Sequence, residues 1–281
     1  MLADLEKLNL MGSGLHCGKL GLCLAYSVAG LKSGDLILKQ KASELFYQIA
    51  EEIADLNDWT FSSGIIGFGW MTEYLAANSI IEMDTHSFLM DLDDQVYLNV
   101  LMKKNPNLGL EGGDVGMALY LYKRISNQQT HDLFFRMICN VECLCILIER
   151  ICEKTESLIF EAGINRDNVV VLSQILLLFS KIEPTKIGNQ TVVRAISAIL
   201  KITEDAFVDK RLRQSESLNH LTAWRSILNV MPRCKSEMYR EVEIELQDQI
   251  RNIHQDPRRI YTHLMSLDSE NQYGWREAWL K

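Results

Sequence analysis

The chain of 281 residues is 47% hydrophobic, so it can bury a large core, and its length is near the upper size of a single domain. Its 37 acidic and 29 basic residues give a net charge of −8, which argues against nucleic-acid binding because that needs clustered positive charge. The sequence has no run of about 18 apolar residues and does not open on a secretion signal, so we expect a cytoplasmic protein that does not span a membrane.

A glycine-rich pattern recurs three times in the first half of the chain. It reads GLHCGKLG at 14–21, GIIGFG at 64–69 and GLEGGDVG at 109–116. Aligning the last glycines places Gly21, Gly69 and Gly116 at steps of 48 and 47 residues, and a fixed step of this size is typical of helical repeats. Because glycine tolerates positive φ and close backbone approach, each motif predicts a tight turn into a helix. The alternative role for each motif is to bind an anion through the free amides at the helix start.

Apolar and amphipathic helical patterns alternate along the chain, one pair to each repeat. Residues with this spacing lie at 20–31 and 38–56, 64–78 and 84–104, 112–125 and 130–153, 169–182 and 189–207, and 218–230 and 236–253. The first member of each pair is apolar on nearly all sides and should be buried, whereas the second should lie outside it. The residues at 273–279 resemble the opening of a sixth unit. No strand or hairpin pattern is present.

These patterns predict an all-α fold of about five helical hairpins and a remnant, in a single domain over 1–281. A ring of hairpins would be an α/α toroid, and an open stack would be a superhelical solenoid. Inner helices that are apolar all round favour the ring, because a solenoid keeps one helix of each pair facing solvent along its concave side. The remnant leaves open whether the ring is complete.

Four of the seven cysteines lie in one helical run whose other residues are mostly apolar. They are Cys139, Cys143, Cys145 and Cys152. Thiols in such surroundings behave as small hydrophobes, so we expect them to be reduced and mostly buried, in keeping with a cytoplasmic protein. The apolar flanks favour a core position over a zinc site.

The glycine-opened helices, the step of about 48 residues and the sequence SGIIGFGWMTEYL at 63–75 resemble the lanthionine synthetase C-like (LanC-like) family, in particular its shorter, divergent members from Bacteroides-type gut bacteria. The resemblance covers about residues 10 to 125 and is only periodic beyond them. It implies an α/α toroid and a role in peptide modification. The enzymes of this family add a cysteine thiol to a dehydroamino acid, with a zinc ion that activates the thiol.

The zinc ligands that the resemblance implies are missing from this sequence. The family supplies them in a Trp-Cys motif and a Cys-His-Gly motif of a late repeat, and the nearest match is His16-Cys17-Gly18 in the first repeat, with cysteine and histidine exchanged. Cys23 and His220 are the nearest further candidates, but zinc needs three protein ligands and no third is evident. We therefore predict no metal and no catalytic residue. The expected function is a non-catalytic binding or accessory module whose partner is a peptide substrate or a modification enzyme.

If a peptide-binding cavity is retained, it should lie at the glycine-turn end of the inner helices. Free amides and positive dipole ends at helix starts favour polar or anionic groups. The residues in or just after the glycine turns are His16, Cys17, Trp70, Glu73 and Glu111. We predict that these five line the cavity and that His16 and Cys17 do not hold zinc.

Two enzymatic alternatives stay open. One is a zinc-dependent lanthionine cyclase with displaced ligands. The other is a carbohydrate-processing toroid, which would work with paired carboxylates in an aromatic cleft. The residues available for that cleft are Trp59, Phe68, Trp70, Glu73, Tyr74 and Asp84. Aromatic residues at helical spacing more often belong to a core, and no partner carboxylate can be assigned.

Overall fold

The computed structural model describes residues 12–16, 18–53, 57–102, 105–127, 134–162, 164–165 and 168–208, together with 222–225, 227, 242, 244, 246, 249, 261, 264, 268 and 271–279. All regular secondary structure in these ranges is helical, and no strand occurs among them. The predicted all-α class is therefore confirmed. Among the described residues, no helix combines the length and the apolar composition that a membrane span requires.

The α-helices with full bounds alternate with short loops. They are α1 Lys19–Ser33, α2 Leu36–Ile53, α3 Ile65–Ala77, α4 Thr85–Phe88, α5 Met90–Met102, α6 Asp114–Asn127, α7 Phe134–Ala162, α8 Val169–Ile182 and α9 Asn189–Val208. Short 3₁₀ turns follow at Glu183–Thr185 and Trp275–Trp279. The helix predicted over 84–104 divides at Leu89, whose φ of −96° and ψ of 7° end α4. The predicted fifth hairpin lies mostly outside the described residues.

The chain divides into two compact units, and the boundary falls inside α7. The first unit contains residues 1–144 and 255–278, and the second contains 145–254 and 279–281. A single domain over 1–281 stays a prediction. The site described below lies in the first unit.

Helices of the first unit differ in burial as the sequence predicts. The inner helix α1 is buried at every position from Leu20 to Gly30, and α3 is buried from Ile66 to Leu75. The outer helix α2 buries one stripe only, made of Ala42, Phe46, Ile49 and Ile53. Burying both inner helices on nearly all sides removes most of their apolar surface from water, which is the main stabilisation of this unit.

Loops of the same form lead into α1, α3 and α6. In each loop, the first helical N–H donates to the carbonyl seven residues earlier: Lys19 to Gly12 at 3.1 Å, Ile65 to Asp58 at 2.8 Å and Asp114 to Asn107 at 3.2 Å. This bond satisfies a helix-start amide that has no partner within the helix. The three loops are therefore structurally equivalent, and Gly18, Gly64 and Gly113 directly precede the three helices.

The predicted alignment of Gly21, Gly69 and Gly116 is wrong at its second member. Gly67 lies three residues after the glycine that precedes α3, just as Gly21 and Gly116 do in their own helices. A Cβ atom on Gly67 or on Gly116 would overlap the carbonyl oxygen six residues earlier in the chain. The equivalent glycines are therefore the pairs separated by three residues, because this spacing places the second glycine against its own loop.

These glycines are needed because neighbouring backbone lies close to them, and not because they adopt a positive φ angle. Gly18 and Gly64 have φ angles of −127° and −114°, which any residue adopts. A Cβ on Gly14 would lie 2.9 Å from the carbonyl oxygen of Ser62 in the next loop. The expected close approach is confirmed, whereas the expected positive φ is wrong for Gly18 and Gly64.

The three glycine loops are hydrogen-bonded to one another in chain order. The N–H groups of Leu15 and His16 donate to the carbonyl of Ser62 at 2.8 and 3.1 Å. The N–H groups of Phe61 and Ser62 donate in turn to the carbonyl of Glu111 at 2.7 and 3.2 Å. The prediction that the three motifs cluster at one end of the inner helices is therefore confirmed.

The second unit uses asparagine in place of a glycine loop. The N–H of Asn165 donates to the side chain of Asn168, and the N–H of Asn168 donates to the side chain of Asn165, both at 2.9 Å. Asparagine favours such side-chain bonds to nearby backbone. Helix α8 follows directly, and its bounds are those that the sequence predicts.

The four predicted cysteines are free thiols. Cys143 and Cys152 are buried, whereas Cys139 and Cys145 are half-buried. Their helix, α7, runs to Ala162, past the predicted end at residue 153.

Candidate functional site

The segment 271–278 packs against the inner helices of the first unit through its own backbone. The His16 Nε2 atom donates to the carbonyl of Ala278 at 3.0 Å, and the Tyr74 hydroxyl donates to the carbonyl of Tyr273 at 3.0 Å. Because a carbonyl only accepts, His16 Nε2 carries the hydrogen in this arrangement. The site thus holds a peptide segment by main-chain groups.

Turn-forming residues shape this segment before it reaches the helices. The Asp268 carboxylate accepts the N–H groups of Gln272 and Tyr273 at 3.0 and 3.1 Å. The Asn271 side chain accepts the N–H of Arg276 at 2.9 Å. Asp and Asn stabilise turns in this way, so the local sequence itself bends the chain toward α3.

Four aromatic rings connect the first glycine loop with Tyr74. The His16 and Phe61 rings meet edge to face at 6.1 Å, and the Phe61 and Trp70 rings do so at 6.1 Å. Trp70 stacks on Tyr74 with the ring centroids 5.3 Å apart. Such pairs add stability beyond their buried area, and together they hold His16 and Tyr74 in fixed positions beneath the segment.

Two further groups in this cluster bear on binding. Lys123 of α6 forms an ion pair with Glu277 at 3.1 Å, and its Nζ lies 5.9 Å from the centre of the Trp70 ring. The Trp70 indole Nε1 is buried and has no hydrogen-bond partner among the described residues. A buried donor of this kind is costly unless an acceptor reaches it.

The structure brings two of the predicted site residues together. His16 and Trp70 both contact Phe61, but Trp70 is fully buried and lies in the core beneath the segment. Glu111 is exposed on the third glycine loop. Cys17 lies outside the described residues. The five-residue lining of a cavity stays a prediction.

Glu73, the remaining predicted site residue, belongs to a buried ion network. Arg124 forms ion pairs with Glu73 and, at 2.5 Å, with Asp93. The Tyr120 hydroxyl donates to Asp93 at 2.7 Å, and the Asn127 side chain donates to Glu73 at 2.9 Å. Both carboxylates are thus engaged by donors from α6, and the network joins α3, α5 and α6.

Electrostatics within the network favour the protonated forms of Arg124 and Tyr120. Burial disfavours the charge of Arg124, but the hydrogen bonds and the negative charge of Asp93 outweigh this effect and raise its pKa. Burial and the charge of Asp93 raise the pKa of Tyr120, which keeps its hydroxyl a hydrogen-bond donor. The network therefore acts as a fixed structural element.

Several residues of the site were not predicted. The residues at 273–279, which resemble the opening of a sixth unit, form a 3₁₀ turn at Trp275–Trp279 after Gly274 with its φ of 68°. Asn271 and Gly274 favour turns, and they are the residues from which the sequence could have predicted a turn here. The ion pair between Lys123 and Glu277 could not be predicted from neighbouring residues, because 154 residues separate the two.

Among the described candidates for the zinc site that the resemblance implies, Cys23 does not fit a zinc ligand. Its buried thiol donates to the carbonyl of Ala42 at 3.1 Å. Burial raises the pKa of Cys23, which disfavours the thiolate that zinc binds. No group of three His, Cys, Asp or Glu side chains that could hold a metal occurs in the described part of the chain, which excludes Cys17 and His220.

The residues considered for a carbohydrate cleft are mostly in the core. Phe68, Trp70 and Tyr74 are buried, and Phe68 stacks on Phe46 at 5.1 Å. Asp84 caps α4 by accepting the N–H of His86 at 3.1 Å. Phe68 and Asp84 therefore have structural roles in the first unit.

No protein-family model, curated protein or solved structure matches the chain. What this protein does is therefore inferred from the contacts of its first unit.

Proposed function

We propose that the protein is a non-catalytic peptide-binding module of the LanC-like type that serves peptide modification. The proposal rests on two hydrogen bonds to main-chain carbonyls. His16 donates to Ala278, and Tyr74 donates to Tyr273. Contacts to the main chain give affinity for a peptide whatever its side chains are. The segment 271–278 thus occupies the position that a peptide ligand would take.

The same cluster offers specificity for two features of a peptide. Lys123 pairs with the acidic side chain of Glu277, so an acidic residue in a ligand would meet the same ammonium group. The Trp70 indole N–H is a further donor, ready for a carbonyl that the segment does not supply.

We further infer that the helices form an α/α toroid. Each glycine loop bonds the next loop in chain order, which sets a constant relation between successive inner helices. Hairpins added with the same relation turn steadily in one direction, as a ring requires. The residues at 63–75 resemble the LanC-like family on the same inner helix α3.

A labelled peptide with the sequence of residues 268–278 tests the binding proposal. The wild-type chain should bind it weakly, because the tethered segment competes at an effective concentration of the order of millimolar. Trp275→Ala removes a fully buried side chain from that segment, so the variant should bind the peptide more than about tenfold tighter. Fluorescence anisotropy gives both dissociation constants.

The matched control is the same peptide with alanine at the position of Trp275. Equal binding of both peptides to the Trp275→Ala variant, or no binding by a variant with a native circular dichroism spectrum, would overturn the proposal. The milder Glu277→Gln substitution, which removes only the ion pair with Lys123, covers the case in which Trp275→Ala does not fold. Stoichiometric zinc in protein purified without chelator would favour the cyclase instead.

A further inference from the structure

Three donors from successive repeats of the first unit contact the segment 271–278. They are His16 of the first glycine loop, Tyr74 of α3 and Lys123 of α6. Their acceptors, in the same order, are the carbonyl of Ala278, the carbonyl of Tyr273 and the carboxylate of Glu277. Each repeat thus provides one donor to a stretch of only six residues.

The segment is folded into tight turns where it meets these donors. The N–H of Gly274 donates to the carbonyl of Asn271 at 3.1 Å, and the N–H of Glu277 donates to the carbonyl of Gly274 at 3.3 Å. Asn271 and Gly274 have φ angles of 58° and 68°, which lie in the left-handed region. Consecutive three-residue bonds with left-handed residues at their ends exclude an extended chain.

An extended peptide would have no strand to join at this site. Peptides that bind as strands need the open edge of a sheet, and no strand occurs in the part of the chain that the structure describes. The donors of the site are three separate side chains and not a row of backbone groups. Such donors suit a folded ligand that presents its acceptors from a turn.

We propose that this site takes an acidic peptide folded into the same turns, with glycine at the position of Gly274 and a carboxylate three residues later, at that of Glu277. This inference rests on the peptide binding proposed above and adds the shape and the register of the ligand.

The ion pair and the backbone explain these two requirements. The side chains of Lys123 and Glu277 are only 17% and 10% exposed, so a carboxylate moved by one residue leaves the ammonium group without a partner in a shielded place. A Cβ atom on Gly274 would meet nothing within 4 Å. Its positive φ, and not a lack of space, therefore favours glycine at that position.

Exchanging two neighbouring residues of the peptide tests the register. The labelled peptide of residues 268–278 has the same composition and net charge after Arg276 and Glu277 are exchanged. On the full-length Trp275→Ala variant, the exchanged peptide should bind at least about tenfold more weakly, the size of one hydrogen bond to a charged group. Fluorescence anisotropy gives both dissociation constants, and equal values would overturn the register.

Substitution of Lys123 separates recognition of the carboxylate from a structural role. Lys123→Gln in the Trp275→Ala background should bind the parent and the exchanged peptide equally, within about twofold. A purely structural lysine would weaken both peptides by one factor and keep their difference, which would refute the assignment. Lys186→Gln is the matched control and should keep the difference, because its exposed ion pair with Glu183 lies in the second unit.

Two peptides that differ only in the handedness of one residue test the folded shape. L-alanine at the position of Gly274 is strained at a φ of 68°, whereas D-alanine favours positive φ. The L-alanine peptide should therefore bind about tenfold more weakly than the D-alanine peptide. Equal binding, or tighter binding of the L-alanine peptide, would show that the ligand does not form this turn.

Peptide binding and the shape of the peptide fail on different results. If no peptide binds a folded Trp275→Ala variant, the proposed peptide binding fails, and the folded acidic ligand fails with it. If the parent peptide binds and the exchanged and L-alanine peptides bind as tightly, peptide binding stands and the folded acidic ligand is refuted. If Trp275→Ala does not fold, the same peptides are compared on Glu277→Gln, which removes only the ion pair of the tethered segment.

Discussion

The buried ion network offers a sharp test of the structure, because a single arginine pairs with both of its carboxylates. Arg124, whose side chain is 1% exposed, donates to Glu73 on α3 and to both oxygens of Asp93 on α5. Arg124→Met keeps the length of the side chain and removes every one of these bonds. It leaves two buried carboxylates without a positive partner.

The magnitude follows from burial. Removing one partner of a buried ion pair costs about 3–5 kcal/mol, whereas an exposed pair contributes about 0–1 kcal/mol. Arg136 pairs with Asp94, with side chains 27% and 60% exposed, and provides the matched control. We therefore expect Arg124→Met to cost about 3–5 kcal/mol and Arg136→Met less than about 1 kcal/mol.

Urea unfolding at neutral pH, followed by circular dichroism and tryptophan fluorescence, measures both values. Neutralising the carboxylates with Glu73→Gln and Asp93→Asn in the Arg124→Met background should recover most of the lost stability, because no unpaired charge then remains buried. A cost below about 1 kcal/mol for Arg124→Met, or equal costs for the two arginines, would refute the buried network.

Two further predictions concern the glycine loops and alkaline pH. Gly116→Ala should cost about 1–3 kcal/mol in urea unfolding because its Cβ would overlap backbone, whereas Gly112→Ala, whose Cβ would lie 3.3 Å from a side-chain methyl, should cost less than about 1 kcal/mol; equal costs would contradict the loop structure. Burial raises the pKa of Cys23 and of Tyr74, and it raises that of Cys152 from 9.0 to about 11. The folded protein then holds these protons more tightly than the unfolded chain, so their contribution to stability is full below pH 9 and falls as the pH rises through 11. Urea midpoints that stay constant from pH 8 to about pH 11 would contradict this.

The sequence was sufficient for helices whose apolar pattern is long and uninterrupted. The predicted bounds 169–182 of α8 agree with the structure because burial on nearly all sides enforces one period throughout. The alignment of Gly69 with Gly21 was wrong because two glycines of one motif compete for the same position. The helix start at Ile65 and the backbone overlap at Gly67 distinguish them, and both are properties of the folded loop.

The site was predictable only in part. His16 and Trp70 were found because they lie in or beside glycine motifs. The contact between Tyr74 and the Tyr273 carbonyl spans 199 residues, and periodicity describes neighbours along the chain without describing such pairs. The resemblance of 273–279 to the opening of a sixth unit did not indicate this contact, although turn residues bend the segment toward α3.

The glycine loops also show why a shared loop motif leaves function open. His16, Ser62 and Glu111 occupy equivalent positions, two residues before the glycines that precede α1, α3 and α6, and the bonds between the loops use only their backbone atoms. Their side chains are basic, polar and acidic, so the loop geometry tolerates different chemistry at the same place. Only the direction of each side chain then decides its role. His16 reaches the carbonyl of Ala278, whereas Glu111 is exposed, so the proposed peptide binding depends on the first loop and on the helices behind it.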